Sequence, residues 1–287
     1  SSGGYVRAVA ASAELAGIDA PEVVQQGCLG LAGAIEGDRS YIVGPDEAGA
    51  VDYRGPGAGG ASAAIDPGLA DVYGFDPGGL LGNPDDPANW RLNSVENYIR
   101  YHVATLVHTY SLSQPDVPIT TVILGCTHFP YYTDRIREAF DRLRSYRAKG
   151  GGTPYRRFVA ENLTFIDPAR LTATELYEAL ADAGLLLGGG EKASIPVDEF
   201  FISVPNPSLL GAELDPNGGF AYDYKYGREP GRLAVEYVKR VPMSGGTLSP
   251  SVRASIAKSM VMVWERLVRF TGESPRAAGI PASARLE

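Results

Sequence analysis

Residues Thr120–Tyr132 read TTVILGCTHFPYY, in which an apolar run stops at a glycine, a cysteine, a threonine and a histidine. The run begins at Ile119 and is rich in β-branched residues, which is typical of a strand buried on both faces of a parallel sheet. Pro130 fits the first turn of a following helix, which we expect to end near Tyr146. Gly125–His128 is therefore predicted to lie at the carboxyl end of a strand, where open α/β sheets bind ligands.

Strand and helix patterns alternate along the rest of the chain. Helices are predicted over Tyr5–Ala16, Leu29–Glu36, Asn93–Tyr110, Thr172–Ala183 and Pro250–Phe270, and strands over Pro21–Gln26, Leu163–Ile166 and part of Phe200–Leu210. Asn93, with Glu96 three residues later, forms a capping-box-like helix start. The alternation predicts an α/β fold with a doubly wound parallel sheet. Cys28 and Cys126 both fall at predicted strand ends and could therefore face one crevice.

Two segments depart from this alternation. Gly37–Trp90 is rich in Gly, Pro, Asp and Ala and is too long for an ordinary connection, so we interpret it as an insertion, either functional or disordered. Within it, GPGAGG at Gly55–Gly60 lacks the Lys-Ser/Thr ending of a phosphate-binding loop, which favours a flexible linker. The closing GESPRAAGIPASARLE, residues Gly272–Glu287, is predicted to be a loose tail.

Composition excludes several classes of protein. The 287 residues are 44% hydrophobic, enough for a sizeable core, and carry a net charge of −8. The 26 Lys and Arg residues are scattered, so no basic stripe for a nucleic acid is present. No apolar run approaches the ~20 residues that span a bilayer. We expect a cytoplasmic protein that binds neither nucleic acid nor membranes.

The sequence carries no signature of a metal site. The chain has two cysteines and three histidines, which excludes a disulfide framework and a four-thiolate zinc site. No HExxH or paired-histidine motif occurs, so no metal site is predicted. No recognisable motif for pyridoxal phosphate occurs either, and we predict no cofactor.

Cys126 is the position at which the sequence points most directly to chemistry. A helix N-terminus after the strand and a charged His128 two residues away both favour a thiolate, which could act as nucleophile or base. The alternative is that Cys126 is a small buried apolar residue, as many free cysteines are. The residue pattern alone leaves both interpretations open.

Three other polar positions have structural interpretations. His102 lies on the apolar face of its helix and is predicted to be a core residue with a satisfied nitrogen. His108 lies near a helix C-terminus, where positive charge is favourable. Asp167, followed by Pro168 at a strand end, is interpreted as a turn residue and not as a general base.

Four blocks of sequence resemble the cofactor-independent glutamate racemases of the aspartate/glutamate racemase superfamily. The first is VILGCTHFP, which is similar to the Gly-Cys-Thr-His-aromatic-Pro signature of the family's second half. The others, in family order, are SGGYVRAV at Ser2–Val9, VVQQGCLGLAGAIEGD at Val23–Asp38 and LTFIDPARLTATELYEAL at Leu163–Leu180. The resemblance covers Ser2–Glu36 and roughly Asn93–Leu180, a little under half of the chain.

The resemblance implies roles for individual residues. Cys126 matches the catalytic cysteine that removes the α-proton from one enantiomer, and His128 matches the histidine that supports this thiol. Thr127 matches the threonine that helps to hold the substrate carboxylate. Glu36 matches the acidic residue associated with the opposite thiol. Cys28 matches a cysteine that is not catalytic in the family, so a structural role is expected.

The resemblance also implies a domain organisation. Residues 1–150 would form a doubly wound α/β lobe that carries the Cys-Thr-His motif and the insertion at 37–90. Residues 161–204 would supply strands and a helix that complete part of a second lobe, and 205–287 would be a C-terminal extension. The family's Ala-Cys-Asn-Thr motif, which carries its first catalytic cysteine, occurs nowhere in the chain. We expect either the C-terminal portion of a longer racemase or a natural single-thiol relative.

The function implied is racemisation of glutamate or a related acidic amino acid by α-proton abstraction and return, with a base on one face of Cα and an acid on the other. As a fragment, the chain alone is not expected to interconvert enantiomers. Two alternatives stay open: a single-thiol lyase or isomerase acting on a small carboxylic acid, and a non-catalytic ligand-binding relative. Homodimers are common in the family, so a homodimer is possible here.

Overall fold

A computed structural model of the chain describes residues 3–44, 53–57, 64–83, 85–186, 198–206, 208, 211, 213–214, 219–221, 224, 237–248 and 250–287. The chain divides into two compact units, Ser1–Leu186 and Leu187–Glu287. Helices and strands are both present, and the strands form small sheets that include a parallel pair. This mixture of elements is compatible with the predicted α/β class.

The first unit is mostly helical. Its helices are α1 (Gly4–Ala16), α2 (Leu31–Glu36), α3 (Ala70–Tyr73), α4 (Val95–Leu112), α5 (Thr133–Ser145) and α6 (Pro168–Asp182). Its strands are β1 (Leu80–Leu81), β2 (Arg91–Leu92), β3 (Ile119–Ile123) and β4 (Val159–Ile166). Single 3-10 turns occupy Pro67–Leu69, Pro77–Gly79, Pro87–Asn89, Phe129–Tyr132 and Arg156–Phe158.

Helix α4 lies at the centre of the first unit. Its side chains are buried around much of its circumference, including Tyr98, Ile99, Val103 and Val107, and they pack with α2, α3 and α5. A helix that is apolar on most sides is one that the rest of the fold encloses. The predicted helix over Asn93–Tyr110 is thus confirmed as an element.

The residue that caps α4 differs from the one predicted. Ser94 is the N-cap, and its Oγ accepts a hydrogen bond from the Asn97 backbone N–H at 3.2 Å. Asn93 instead pairs with the backbone of Val43: its Oδ1 accepts from Val43 N at 2.7 Å, and its Nδ2 donates to Val43 O at 3.0 Å. Both residue types are good caps, so sequence alone could not separate neighbours.

The sheet that carries the motif is a parallel pair. Strands β3 and β4 pair in register from Thr121 opposite Thr164 to Ile123 opposite Ile166, and α5 connects them in a β-α-β unit. Both strands were predicted, although β4 begins at Val159 and is longer than expected.

The prediction that β3 is buried on both faces is wrong. Thr120, Thr121 and Ile123 are exposed, and Ile123 keeps 37% of its surface accessible. A strand buried on both faces needs cover on each of them, and α6, the helix that follows β4, has no buried residue.

The segment Pro21–Gln26 does not form the predicted strand. Residues 19–28 have no regular secondary structure, and Cys28 therefore does not lie at a strand end. The β-branched pair Val23–Val24 satisfied the pattern, but a strand also needs a neighbour, and none of the described segments pairs with it.

The Gly- and Pro-rich segment Gly37–Trp90 is part of the core in its described residues. Tyr41, Tyr53, Ile65 and Tyr73 are each buried, and three of them belong to the same apolar cluster as α4. The hydroxyl of Tyr53 donates to Pro56 O at 2.8 Å and accepts from the Leu92 N–H at 2.9 Å. Aromatic side chains anchor the segment where its backbone is irregular.

The flexible-linker interpretation of Gly55–Gly60 is wrong for its first three residues. A Cβ on Gly55 would overlap the hydroxyls of Tyr98 and Tyr53, and Gly57, at φ +88°, lies against the carbonyl of Trp90. These glycines are needed because another chain segment approaches them closely. Residues 58–60 lie outside the described residues.

The second unit contains an antiparallel hairpin and two helices. Its described elements are β5 (Phe201–Pro205), β6 (Val238–Pro242), α7 (Pro250–Ser259), α8 (Val261–Glu273) and the 3-10 turns Pro275–Ala277 and Ala282–Ala284. One helix was predicted from Pro250 to Phe270. That prediction is wrong because Met260, at φ −135° and ψ 57°, interrupts the helix.

The predicted loose tail is packed. Ala277, Ile280 and Leu286 are buried in one cluster with Leu267 and Phe270 of α8. Backbone contacts also hold the segment, since Gly245 N donates to Ala284 O at 2.7 Å and Leu286 N donates to Thr271 Oγ1 at 3.2 Å. The apolar residues spaced along Gly272–Glu287 supply the burial that a free tail lacks.

Candidate active site

Cys126 lies in a tight turn directly after β3. Gly125 N donates to Ile123 O at 3.0 Å, and Phe129 N donates to Cys126 O at 3.2 Å, so the backbone folds back at the motif. This turn brings Cys126 Sγ to 3.3 Å from Nδ1 of His128. The thiol and the imidazole are therefore in contact, and their roles as proton partners stay a prediction.

Glu36 completes a chain of three groups. Its Oε1 lies 2.8 Å from Nε2 of His128, and the contact joins the C-terminal end of α2 to the turn after β3. The resemblance had associated Glu36 with an opposite thiol, whereas here its contact is with His128. The chain Cys126–His128–Glu36 thus joins a thiol, an imidazole and a carboxylate.

The two nitrogens of His128 have different partners, and this fixes what the ring can do. A carboxylate only accepts, so a neutral ring donates from Nε2 to Glu36 and leaves Nδ1 free to accept the thiol proton of Cys126. After proton transfer, an imidazolium would lie between a thiolate and a carboxylate. The Glu36 side chain is 57% exposed, so solvent weakens its electrostatic contribution to the pair.

A cleft of about 250 Å³ opens beside the thiol. Leu124–Thr127 line it from the end of β3, Asp167–Ala169 and Thr172 from the end of β4 and the start of α6, and Tyr5 from α1. Cys126 and Thr127 face the cleft, whereas His128 and Glu36 are not among its lining residues. A small molecule in the cleft would contact the thiol of Cys126 directly. His128 and Glu36 would act on that molecule only through the thiol.

Tyr5 and Gly125 fit closely at the mouth of this cleft. A Cβ placed on Gly125 would lie 3.0 Å from Cε2 and 3.1 Å from Cζ of the Tyr5 ring. A side chain at this position would therefore require the Tyr5 ring to shift, which gives the glycine before Cys126 a packing reason. Sequence reasoning had not placed Tyr5 in the site, although its block was one of the four that carry the resemblance.

Asp167 also lines the cleft, which the sequence analysis did not predict. It is the N-cap of α6, and one carboxylate oxygen accepts from the Ala169 N–H at 2.9 Å. The interpretation as a local backbone-capping residue is thus consistent with its geometry. Asp167 reaches the cleft because β3 and β4 pair in parallel. This pairing places the carboxyl ends of the two strands side by side.

Cys28 lies close enough to Cys126 for the two thiols to interact. Burial, and to a smaller extent the negative charge of a Cys126 thiolate, raises the pKa of Cys28 to about 12. The Cys28 thiol also lies 3.7 Å from Gln26 O, to which it donates. Cys28 therefore stays protonated at neutral pH, and it does not line the cleft. Its structural role remains a prediction.

His102 is a buried histidine of the core, as its position on the apolar face predicted. Its Nε2 donates to Leu29 O at 3.0 Å, and burial lowers its pKa to about 4, so the ring is neutral. Its Nδ1 has no hydrogen-bond partner in the described part of the chain. The contact fixes the backbone between Cys28 and α2, the helix that ends at Glu36.

The described residues contain neither a metal-binding cluster nor a membrane-spanning helix. Across the described residues, no group of three or more His, Cys, Asp or Glu side chains is placed to hold a metal ion. No helix in the same residues is both long and apolar enough to cross a bilayer.

Comparisons with protein-family models, with curated proteins and with solved structures found no significant match for this chain. Functional inference therefore depends on the geometry of the site.

Proposed function

We propose that the chain is a cofactor-independent amino-acid racemase of the glutamate racemase type, or the part of one that provides a single acid–base thiol. The observation that supports it best is the chain Cys126–His128–Glu36, with its thiol in a cleft at the end of a parallel strand. Strands β3 and β4 with α5 would be the first part of a doubly wound lobe of that superfamily.

Each residue has a chemical role in this proposal. Cys126, as thiolate, takes the α-proton of glutamate or a related acidic amino acid. His128 holds the proton that the thiol releases, and Glu36 orients the ring and stabilises its charged form. Thr127, exposed at the cleft, contacts the substrate carboxylate. None of these steps needs a cofactor.

A single base predicts a partial reaction. Removing and returning a proton on one face of Cα exchanges it with solvent and keeps the configuration, whereas inversion also needs an acid on the other face. Cys28 does not line the cleft in which Cys126 lies. The 287 residues are therefore expected to exchange the α-proton of one glutamate enantiomer without efficient racemisation.

The test is proton NMR of D- and L-glutamate incubated with the protein in D₂O. Loss of the α-proton signal for one enantiomer, reduced at least ~100-fold in Cys126→Ser, supports the proposal, because that is the usual size of an acid–base contribution. Cys28→Ser is the matched control and should keep the exchange. Exchange that survives in Cys126→Ser, or none with any acidic amino acid, would refute it.

The same three residues favour a second candidate. A thiol with an adjacent base and an orienting carboxylate is also the arrangement of an activated nucleophile. A lyase or isomerase that acts on a small carboxylic acid would use Cys126 in that way. New product from a malonate-like or maleate-like acid, without exchange into glutamate, would favour this candidate.

A further inference from the structure

The second unit has a cleft of its own, unrelated to the thiol. Its volume is about 310 Å³, and it lies between α7, α8 and the C-terminal segment. Its lining is Arg253 from α7, Trp264 from α8, and Ala282, Ser283, Arg285, Leu286 and Glu287. The segment is fixed, since Leu286 is buried and its N–H donates to Thr271 on α8.

The charged side chains in this cleft are not paired with one another. Two guanidinium groups, Arg253 and Arg285, line it together with Glu287, and no ion pair joins these three side chains. Other arginines of the same unit do have carboxylate partners: Arg266 with Asp198, Arg269 with Glu273 and Arg276 with Glu199. Arg253 and Arg285 differ from these three arginines in having no carboxylate partner among the described residues.

Arg253 is also held in place. Its Nε is covered by protein and has no hydrogen-bond acceptor among the described residues. A Cβ on Gly245 would lie 3.5 Å from its Nη1, so the guanidinium packs against the turn after β6. A covered donor without an acceptor is costly. The terminal nitrogens of Arg253 are those that a bound molecule would reach.

We propose that this cleft binds a small oxyanion, either a carboxylate or a phosphate, between Arg253 and Arg285. The planar guanidinium fork matches the oxygen pair of both groups and forms charge-assisted hydrogen bonds with them. The Ser283 hydroxyl adds a further donor, and the Trp264 indole forms an apolar wall. The site is independent of the thiol chemistry proposed for the first unit.

Trp264 makes the binding measurable. The chain has two tryptophans, so fluorescence of the full chain is followed in wild type and in Trp264→Phe. Inorganic phosphate and succinate are titrated separately. Each anion replaces sodium chloride in the buffer, so the ionic strength stays constant. We expect a saturable change that is absent in Trp264→Phe and needs at least tenfold more anion in Arg285→Gln.

Arg285 is exposed, so its substitution should leave the fold intact, and circular dichroism checks this. Arg269→Gln is the matched control, since it removes the same charge from the same unit outside the cleft. A saturable response to phosphate alone assigns a phosphate ligand, and one to succinate alone a carboxylate. The proposal would be overturned if neither anion gave a saturable change in fluorescence, or if sodium chloride gave an equal change. It would also be overturned if Arg269→Gln and Arg285→Gln weakened anion binding equally.

Discussion

His128 Nε2 lies 2.8 Å from Oε1 of Glu36, a residue 92 positions earlier in the chain. The contact joins the turn that carries Cys126 to the end of α2, and it leaves Nδ1 of the ring for the thiol. Both partners are accessible to solvent, with the His128 side chain 31% and the Glu36 side chain 57% exposed.

Glu36→Gln should slow alkylation of Cys126 by iodoacetamide at pH 7 by about two- to fivefold, because exposed ion pairs contribute modestly. The substitution keeps an acceptor for the ring but removes the charge that stabilises the imidazolium. The rate is measured by mass spectrometry in a Cys28→Ser background. Glu138→Gln, which breaks the exposed pair with Arg135, is the control and should leave the rate unchanged. A faster or unchanged rate in Glu36→Gln would show that the carboxylate does not assist the thiol.

Gly55→Ala should destabilise the first unit by about 2 kcal/mol, within the range for overpacked cores. The added methyl group would overlap the hydroxyls of Tyr98 and Tyr53, which hold the Gly- and Pro-rich segment against α4. Urea unfolding followed by circular dichroism measures the change. Gly150→Ala has no atom within 4 Å of its new methyl group and should stay within about 0.5 kcal/mol of wild type. Equal effects would mean that Gly55 is not packed in solution.

The site could be predicted from sequence to the extent that its geometry is local. Cys126 and His128 are two residues apart in a turn, and a strand end followed by a proline fixes that turn without help from the rest of the fold. The contact with Glu36 spans 92 residues, so it depends on how α2 packs beside α4, which no local pattern encodes. The resemblance associated Glu36 with an opposite thiol, and its contact in the structure is with His128.

The errors in the fold have a common origin. Apolar periodicity identifies residues that suit burial, but it does not identify the partner, so Val23–Val24 suggested a strand that has none among the described segments. Gly and Pro content suggested an insertion at Gly37–Trp90 and a flexible linker at Gly55–Gly60, whereas the tyrosines of this segment were the signal that its backbone is tied to a core. Large aromatic residues bury enough area to hold irregular backbone in place.

Helix α6 should exchange its amide hydrogens faster than α4. Leu176 and Tyr177 of α6 are 60% and 62% exposed and no residue of that helix is buried, whereas α4 is enclosed. Helices owe most of their stability to packing, so an uncovered helix opens readily. Hydrogen–deuterium exchange with mass spectrometry compares the two. Equal protection would mean that another surface covers α6 in solution.

His102 should make the protein sensitive to acid. Its folded-state pKa is lowered to about 4 by burial, from an ordinary value of 6.5, so the unfolded chain takes up the proton first as the pH falls. The stability from the neutral ring is complete above pH 6.5 and is lost as the pH falls toward 4, at up to about 1.4 kcal/mol per pH unit and about 3 kcal/mol in all.

Gln at this position keeps a donor for Leu29 O but cannot take up a proton. Urea unfolding at pH 7 and pH 4.5 should therefore show a smaller acid loss in His102→Gln than in wild type, while His108→Gln, on the same helix, should keep the full loss. An identical pH dependence in wild type and His102→Gln would show that the ring is not held neutral by its burial.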